Sequence, residues 1–399
     1  MNTPIARQRG NALLITLVLL GAMALVAAFA NRNHLFEARA SINQYRSTQA
    51  FESAEAGVAW GIAMLNDPRP VNDQCLPASA ASGSFAERWQ AASGRSAKLV
   101  AACVRSGSGW TCSCASDGTP RFGSDVRIDA NAFRIELVAD VQARVLQIAS
   151  TGCTSLSGEC LPGRPTDATA HVQVLAGALP ALASLPLAAL TAKQAVIAAG
   201  PDAGFHNADA ASAGITLHAG KTITTTSARL TTVPGSAADA SVIENDPMLN
   251  DPTADSFFNA FFGLSKPLWK QQPGVKTLRC DGDCSTAVAT AIDGGYRMLW
   301  IDGDARLSSD VTLGRPGKPV VLVATGTLAV AASVNVHGLV YAGRIDWSGA
   351  PGLVRGAVIS ESEALIANAS DFVRDTSVLN TLQAQVGSFA RVPGSWRDF

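Results

Sequence analysis

Residues 12–30 are an unbroken apolar run, and the chain holds no breaker after it until Asp67-Pro68. A bilayer span needs about 20 such residues, and no other stretch of this chain is long and apolar enough. Beyond the run, Phe51, Ala54, Val58, Ile62 and Leu65 recur at spacings of 3, 4, 4 and 3, which is one face of a helix. The other face carries Glu37, Arg39, Arg46, Glu52 and Glu55. The spacing predicts one helix over 11–66, a rod on the order of 80 Å at 1.5 Å per residue. Gly57 and Gly61 are read as weak points, each costing about 1 kcal/mol against alanine. Ala28-Phe29-Ala30 also offers a small-x-small cleavage site, so a removable secretory signal is the competing reading.

"RQRGNALLITLVLLGAMALVAAFANRN" resembles the leader and membrane helix of the PilX-type minor pilin family. Gln49, Ala50, Phe51, Ala54, Glu55, Ala56 and Gly57 resemble that family's signature. The likeness covers about the first 65 residues. It implies an α+β fold with a long N-terminal pilin helix. It also implies a leader at 1–10, removed by a prepilin peptidase after Gly10, and Asn11 as an N-methylated terminus. The partners it implies are other minor and major pilins, a tip adhesin, the prepilin peptidase, the inner-membrane assembly platform and the lipid bilayer. The implied place is the inner membrane, single-pass, with the C-terminal part in the periplasm and incorporation into an extracellular pilus. Many pilins carry glutamate at the fifth mature position, where this chain has Ile15. A carboxylate in a bilayer is kept only where it finds a partner. A subunit without it can sit first in a fibre, in a priming complex or at the tip; the competing reading is poorer incorporation.

All eight cysteines follow the apolar run: Cys75, Cys103, Cys112, Cys114, Cys153, Cys160, Cys280 and Cys284. An even number in an exported chain favours disulfides. Zinc is the alternative, yet no pair has the usual spacing and no histidine stands near one. A hairpin about residues 106–109 sets Cys103 opposite Cys112 and leaves Cys75 for Cys114, one connectivity of three. Cys153 and Cys160 bracket a short turn, and Cys280 and Cys284 another. Residues 67–176 read as a disulfide-containing antiparallel β region, irregular over 68–125 and alternating better after it, and 177–190, with Pro180 and Pro186, read as a packed linker.

From 191 to 399 short β runs are punctuated by glycine. Gly303, Gly314, Gly326 and Gly338 are spaced 11, 12 and 12. That pattern predicts a parallel β-helix-like domain, with an antiparallel sandwich as the alternative. Residues around 196–226 supply its first coils, and a helical insertion at 252–270, capped by Asp255 or Ser256, interrupts it. Phe257, Phe258, Phe261 and Phe262 there either cover an open face or meet a partner. A C-terminal helix at 374–386 is expected to cap the stack, with Trp396 and Phe399 as packing anchors.

Formal net charge is −1, which gives no indication of a nucleic-acid partner. The five histidines are scattered outside any nucleophile or metal motif. Asp281 with Asp283, and Asp302 with Asp304, flank glycine, which is turn chemistry before it is calcium chemistry. No catalytic residue, metal or cofactor is expected. The chain reads as a minor pilin that primes or joins a fibre, with a membrane-anchored polysaccharide-binding or polysaccharide-processing protein as the alternative.

Overall fold

In the computed structural model the described residues are 11–78, 83–88, 100–115, 117–124, 126–127, 130–140, 145–155, 160 and 167–398. The fold is α+β: one long helix, an antiparallel sheet and a curled parallel sheet. Helix α1, Asn11–Asn66, runs for 56 residues without a break. It stops at Asp67-Pro68, where proline lacks the amide the next turn needs.

The antiparallel sheet grips the last third of α1. Strands β1 (Val100–Ser106), β2 (Gly109–Ser113), β3 (Ala132–Asp140), β4 (Val145–Cys153) and β5 (Thr169–Pro180) form it in the order β2-β1-β3-β4-β5. Their alternation sends Phe133, Ile135, Leu146, Ile148, Val172 and Val174 against Ala54, Val58 and Leu65 of α1. A sixth strand, Gly387–Arg391, completes the sheet beside β5. Sequence reading left these residues in the C-terminal domain. Their return is anchored by Asn66, whose side chain bonds both the carbonyl and the amide of Phe389 at 2.9 and 2.8 Å. Residues 177–180, read as linker, belong to β5 and pair with 387–390. The whole stretch 181–386 is thus inserted between two adjacent hydrogen-bonded strands, with the Ala181 amide donating to Val386 across the neck.

That insertion is a curled parallel sheet, a stack of three parallel ladders. One ladder runs Val275–Leu278, Met298–Ile301, 320–324, 338–342, 357–360, Leu190–Ala192, Leu217–Ala219 and Val242–Ile243. A second runs Ala305–Leu307, 327–330, 344–347, Ala364–Ile366, Val196–Ala198 and Ile223–Thr225. A third runs Val311–Leu313, 334–337, 353–356, Asp371–Arg374, Gly204–His206 and Arg229–Thr231. Alternate side chains point inward to one continuous core, including Leu299, Leu322, Val340, Val358, Trp347 and Phe372.

The coils are out of chain order. Those at 190–231 are first in sequence, yet they stack beyond 357–374, the last. The seam between the two blocks is closed by stacked Phe205 and Phe372 rings, 5.3 Å apart. Outside the core it is bridged by Asp371 to His206 and Arg229, and by Arg374 to Asp209.

The chain returns from the far end to the first coil along the outside of the first ladder. It does so as α2 (Ala254–Phe262) and α3 (Lys266–Lys270). Phe257, Phe258, Phe262 and Trp269 are buried there against Trp300, Val323, Leu339 and Tyr341. The phenylalanines therefore cover a face. Thr253, rather than Asp255 or Ser256, caps α2, its hydroxyl accepting from the Ser256 amide. Helix α4 (Ser285–Asp293) places Val288 and Ala291 in the stack core beside the first coils. Helix α5 (Thr376–Ala384) packs Leu379 and Leu382 on the same flank as α2. The end-capping helix is α4, which the sequence reading did not foresee; α5 covers a side. Alanine and threonine dilute the apolar pattern of α4, and only its docking on exposed first-coil edges makes it legible.

Candidate functional site

Helix α1 is divided in two by its surroundings. From Leu13 to Phe29 the large side chains are open to solvent, Leu13 at 74% and Leu20 at 72%. This part is apolar enough to cross a membrane, with a mean hydropathy of 2.7 and none of it buried within the molecule. Leaving such a surface in water is unfavourable by about 25 cal/mol per Å². A surface of this length is thus built to be covered by lipid or by other helices. Ile15 lies within it, 57% exposed. Asn11 opens the helix, and Gly10 lies outside the described residues.

The signature residues sit where α1 enters the sheet, and they separate by face. Ala50 and Ala54 are fully buried. A β-carbon on Gly57 would stand 2.3 Å from Ser150 Oγ and 2.9 Å from Phe133 Cδ2. Across the interface, one on Gly152 would stand 1.9 Å from the Ala50 carbonyl and 2.4 Å from the Ala54 amide. Small residues at 50, 54 and 57 thus let helix and strand backbones meet. Gly57 is a contact point rather than a weak point, and Gly152 is the reciprocal residue that the helix pattern alone could not reveal. Phe51 turns aside to meet Trp396 edge-on at 6.0 Å. Gln49 donates to the Tyr45 hydroxyl at 2.8 Å, Ala56 is half-buried, and Glu55 faces solvent.

The cysteines pair as Cys75–Cys114, Cys103–Cys112, Cys153–Cys160 and Cys280–Cys284. The first ties the 67–78 segment to the end of β2, and the second joins β1 to β2 across their hairpin. The last clips the start of α4. Phe399 lies outside the described residues.

Of the acidic pairs, Asp283, Asp302 and Asp304 are engaged in structure. Asp283 accepts from the Ser285 hydroxyl and amide and from the Ser308 amide, and these bonds hold its carboxyl far below the usual range. Asp302 accepts from Lys270 and from the Trp300 indole, which lowers its pKa in that order. Among the described residues no group of three or more His, Cys, Asp or Glu side chains could hold a metal. Where α1 meets the stack there is a cavity of about 200 Å³, lined by Asn66, Pro68, Glu87, Gly295, Arg297 and Phe389 among others. Its rim carries the Glu87–Lys318 ion pair at 2.7 Å.

Comparison with known families locates this arrangement. Residues 9–59 match the PilX N-terminal family model. That segment is similar to the N-terminal segment of PilX-type pilins. That match spans the exposed half of α1 and ends within the glycine contact at its base. The role that follows is type IV pilin-like, a membrane-anchored component that interacts with other pilins. No curated protein matches the chain. Among solved structures, the competence-associated pilin ComZ from Thermus thermophilus aligns at 12% identity over 89% of this chain and 97% of its own, with a TM-score of 0.24.

Proposed function

We propose that this chain is a minor pilin of a type IV pilus system, acting in fibre priming and assembly from the tip. One observation carries the reading: α1 is exposed and apolar for its first half, then locked backbone-to-backbone into a sheet. The first half is held in the inner membrane as a single span and later packs among the helices of other pilins. A prepilin peptidase removes residues 1–10, and Asn11 becomes the methylated terminus. The stack lies in the periplasm before assembly and outside the cell after it, where it supports a tip adhesin. The role is structural rather than catalytic.

The tip position rests on Ile15. With no carboxylate there, nothing in the subunit demands an amino terminus ahead of it. The test is to locate wild type and Ile15→Glu in sheared pili by immunogold labelling. Wild type is expected at fibre ends, and the variant along the shaft. Wild-type label spread evenly along fibres would defeat the tip assignment.

A further inference from the structure

The stack is two blocks of unequal size that meet at one seam. The block later in sequence, 298–374, holds four complete coils, each giving a strand to all three ladders. Helix α4 packs Val288 and Ala291 into the core at its first edge. The block earlier in sequence, 190–243, holds two complete coils and the lone strand Val242–Ile243. A stacked coil is stabilised only by its neighbours, and about three or more are needed for the array to hold. The later block therefore meets that size, and the earlier one falls below it. What the earlier block lacks is supplied by 357–374. The Val358 amide donates to the Ala189 carbonyl, the Ala364 amide to Ala195 and the Gly204 amide to Ser370, one bond in each ladder. Phe205 stacks on Phe372, and Arg374, only 7% exposed, reaches the Asp209 carboxylate at 2.6 Å.

Across the seam the partners are far apart in the chain, His206 and Asp371 by 165 residues. The entropy of closing so long a loop must be met before these contacts form, whereas 298–374 grows by pairing each coil with the next. The seam also divides the stack by position. The first coils meet the end of α1: a β-carbon on Gly295 would stand 2.6 Å from the Pro68 carbonyl, and Lys318 pairs with Glu87. The first ladder has eight strands. Its other end, Val242–Ile243, is thus roughly 34 Å from the first coil at about 4.8 Å per strand. We propose that the stack has a built-in order of assembly: 298–374 forms first, and 190–243 docks on its 357–374 edge afterwards. A chain that emerges N-terminus first keeps coils 190–243 open until residue 374 has arrived. The end of the stack away from α1 is then completed only on a full-length chain. The proposal concerns the stack alone and stands or falls separately from the pilin assignment.

The test is pulsed hydrogen exchange while the full chain refolds from urea in detergent with its disulfides intact, read segment by segment by mass spectrometry. Amides of 320–342 should gain protection first, and those of 190–219 about tenfold later. Two full-length variants, each placing a carboxylate in the buried core, separate dependence from mere slowness. Leu217→Asp, in the earlier block, should abolish protection of 190–219 and leave 320–342 protected. Leu322→Asp, in the later block, should abolish protection of both. Protection of 190–219 together with or ahead of 320–342 in the wild type would overturn the proposal. So would loss of 320–342 in Leu217→Asp, or survival of 190–219 in Leu322→Asp, because the earlier block would then be the template or would stand alone.

Discussion

Replacing Gly152 by alanine should release α1 from its sheet. The new methyl would stand 1.9 Å from the Ala50 carbonyl and 2.4 Å from the Ala54 amide, both backbone atoms inside a helix. Ordinary contact begins near 3.4 Å, so the helix must retreat by more than 1 Å. A gap of 0.5–1 Å already forfeits about a quarter to a half of each dispersion contact. Ala54, Val58 and Leu65 all pack on this sheet, so the cost should reach about 3 kcal/mol, the upper end of ordinary overpacking. Gly61→Ala is the control. Its methyl would be crowded only by the Cδ1 end of Ile135 at 3.3 Å, which can turn away, and would touch Ile148 Cγ2 at an ordinary 3.5 Å. Alanine there gains about 1 kcal/mol of helix propensity, so this variant should be neutral or stabilised. Hydrogen exchange of the β3 and β4 amides in rising urea reports this sheet separately from the stack. If Gly152→Ala lies within about 0.5 kcal/mol of wild type, the close approach does not hold the helix.

Other outcomes follow from the same structure. Replacing 181–386 by a short turn should leave β5 paired with the C-terminal strand, and the shortened chain should still give a dispersed spectrum in detergent micelles; aggregation would mean the stack is needed to fold the antiparallel sheet on α1. Phe258→Ala should cost about 3–5 kcal/mol and loosen α2 and α3, read as faster proteolysis between 247 and 274. Converting Cys280 and Cys284 to serine should raise exchange at α4 while leaving the α2 amides protected. Acid should weaken the seam: the Ala211 amide, then Arg374 and Thr376, hold the Asp209 carboxyl below its usual value. A depressed carboxylate stabilises above its unfolded pKa of about 4 and loses that contribution as pH falls through the folded value. Exchange at 190–206 should therefore rise below about pH 4, and Asp209→Asn should flatten that dependence.

Much of the α+β fold was legible because its signals are local. The apolar run, the 3-and-4 spacing to Leu65 and the stop at Pro68 specify α1 without help from the rest of the chain. The glycine spacing between 303 and 338 likewise reports short strands broken by corners, although the coils differ in length, Met298 pairing with Val321 and Leu339 with Ala357. What was hidden depends on contacts between distant segments. Nothing within 196–231 says that these coils dock on 357–374, because stacking order is decided by which edges meet. Gly387–Arg391 reads as a short strand, and only its pairing with β5 and its bonds to Asn66 reveal its place. Gly152 is one glycine among 35, and its role appears only with Ala50 and Ala54 opposite. For the candidate site, small residues at 50, 54 and 57 were visible as a pattern, but the surface they meet was not.

The most direct test of the pilin assignment is the intact mass of the protein recovered from membranes and from sheared fibres. A chain that begins at Asn11, with or without one methyl group, is the predicted result, because the exposed half of α1 must be kept to pack in lipid and among other helices. A chain that keeps Met1, or one cut after Ala30, would contradict it.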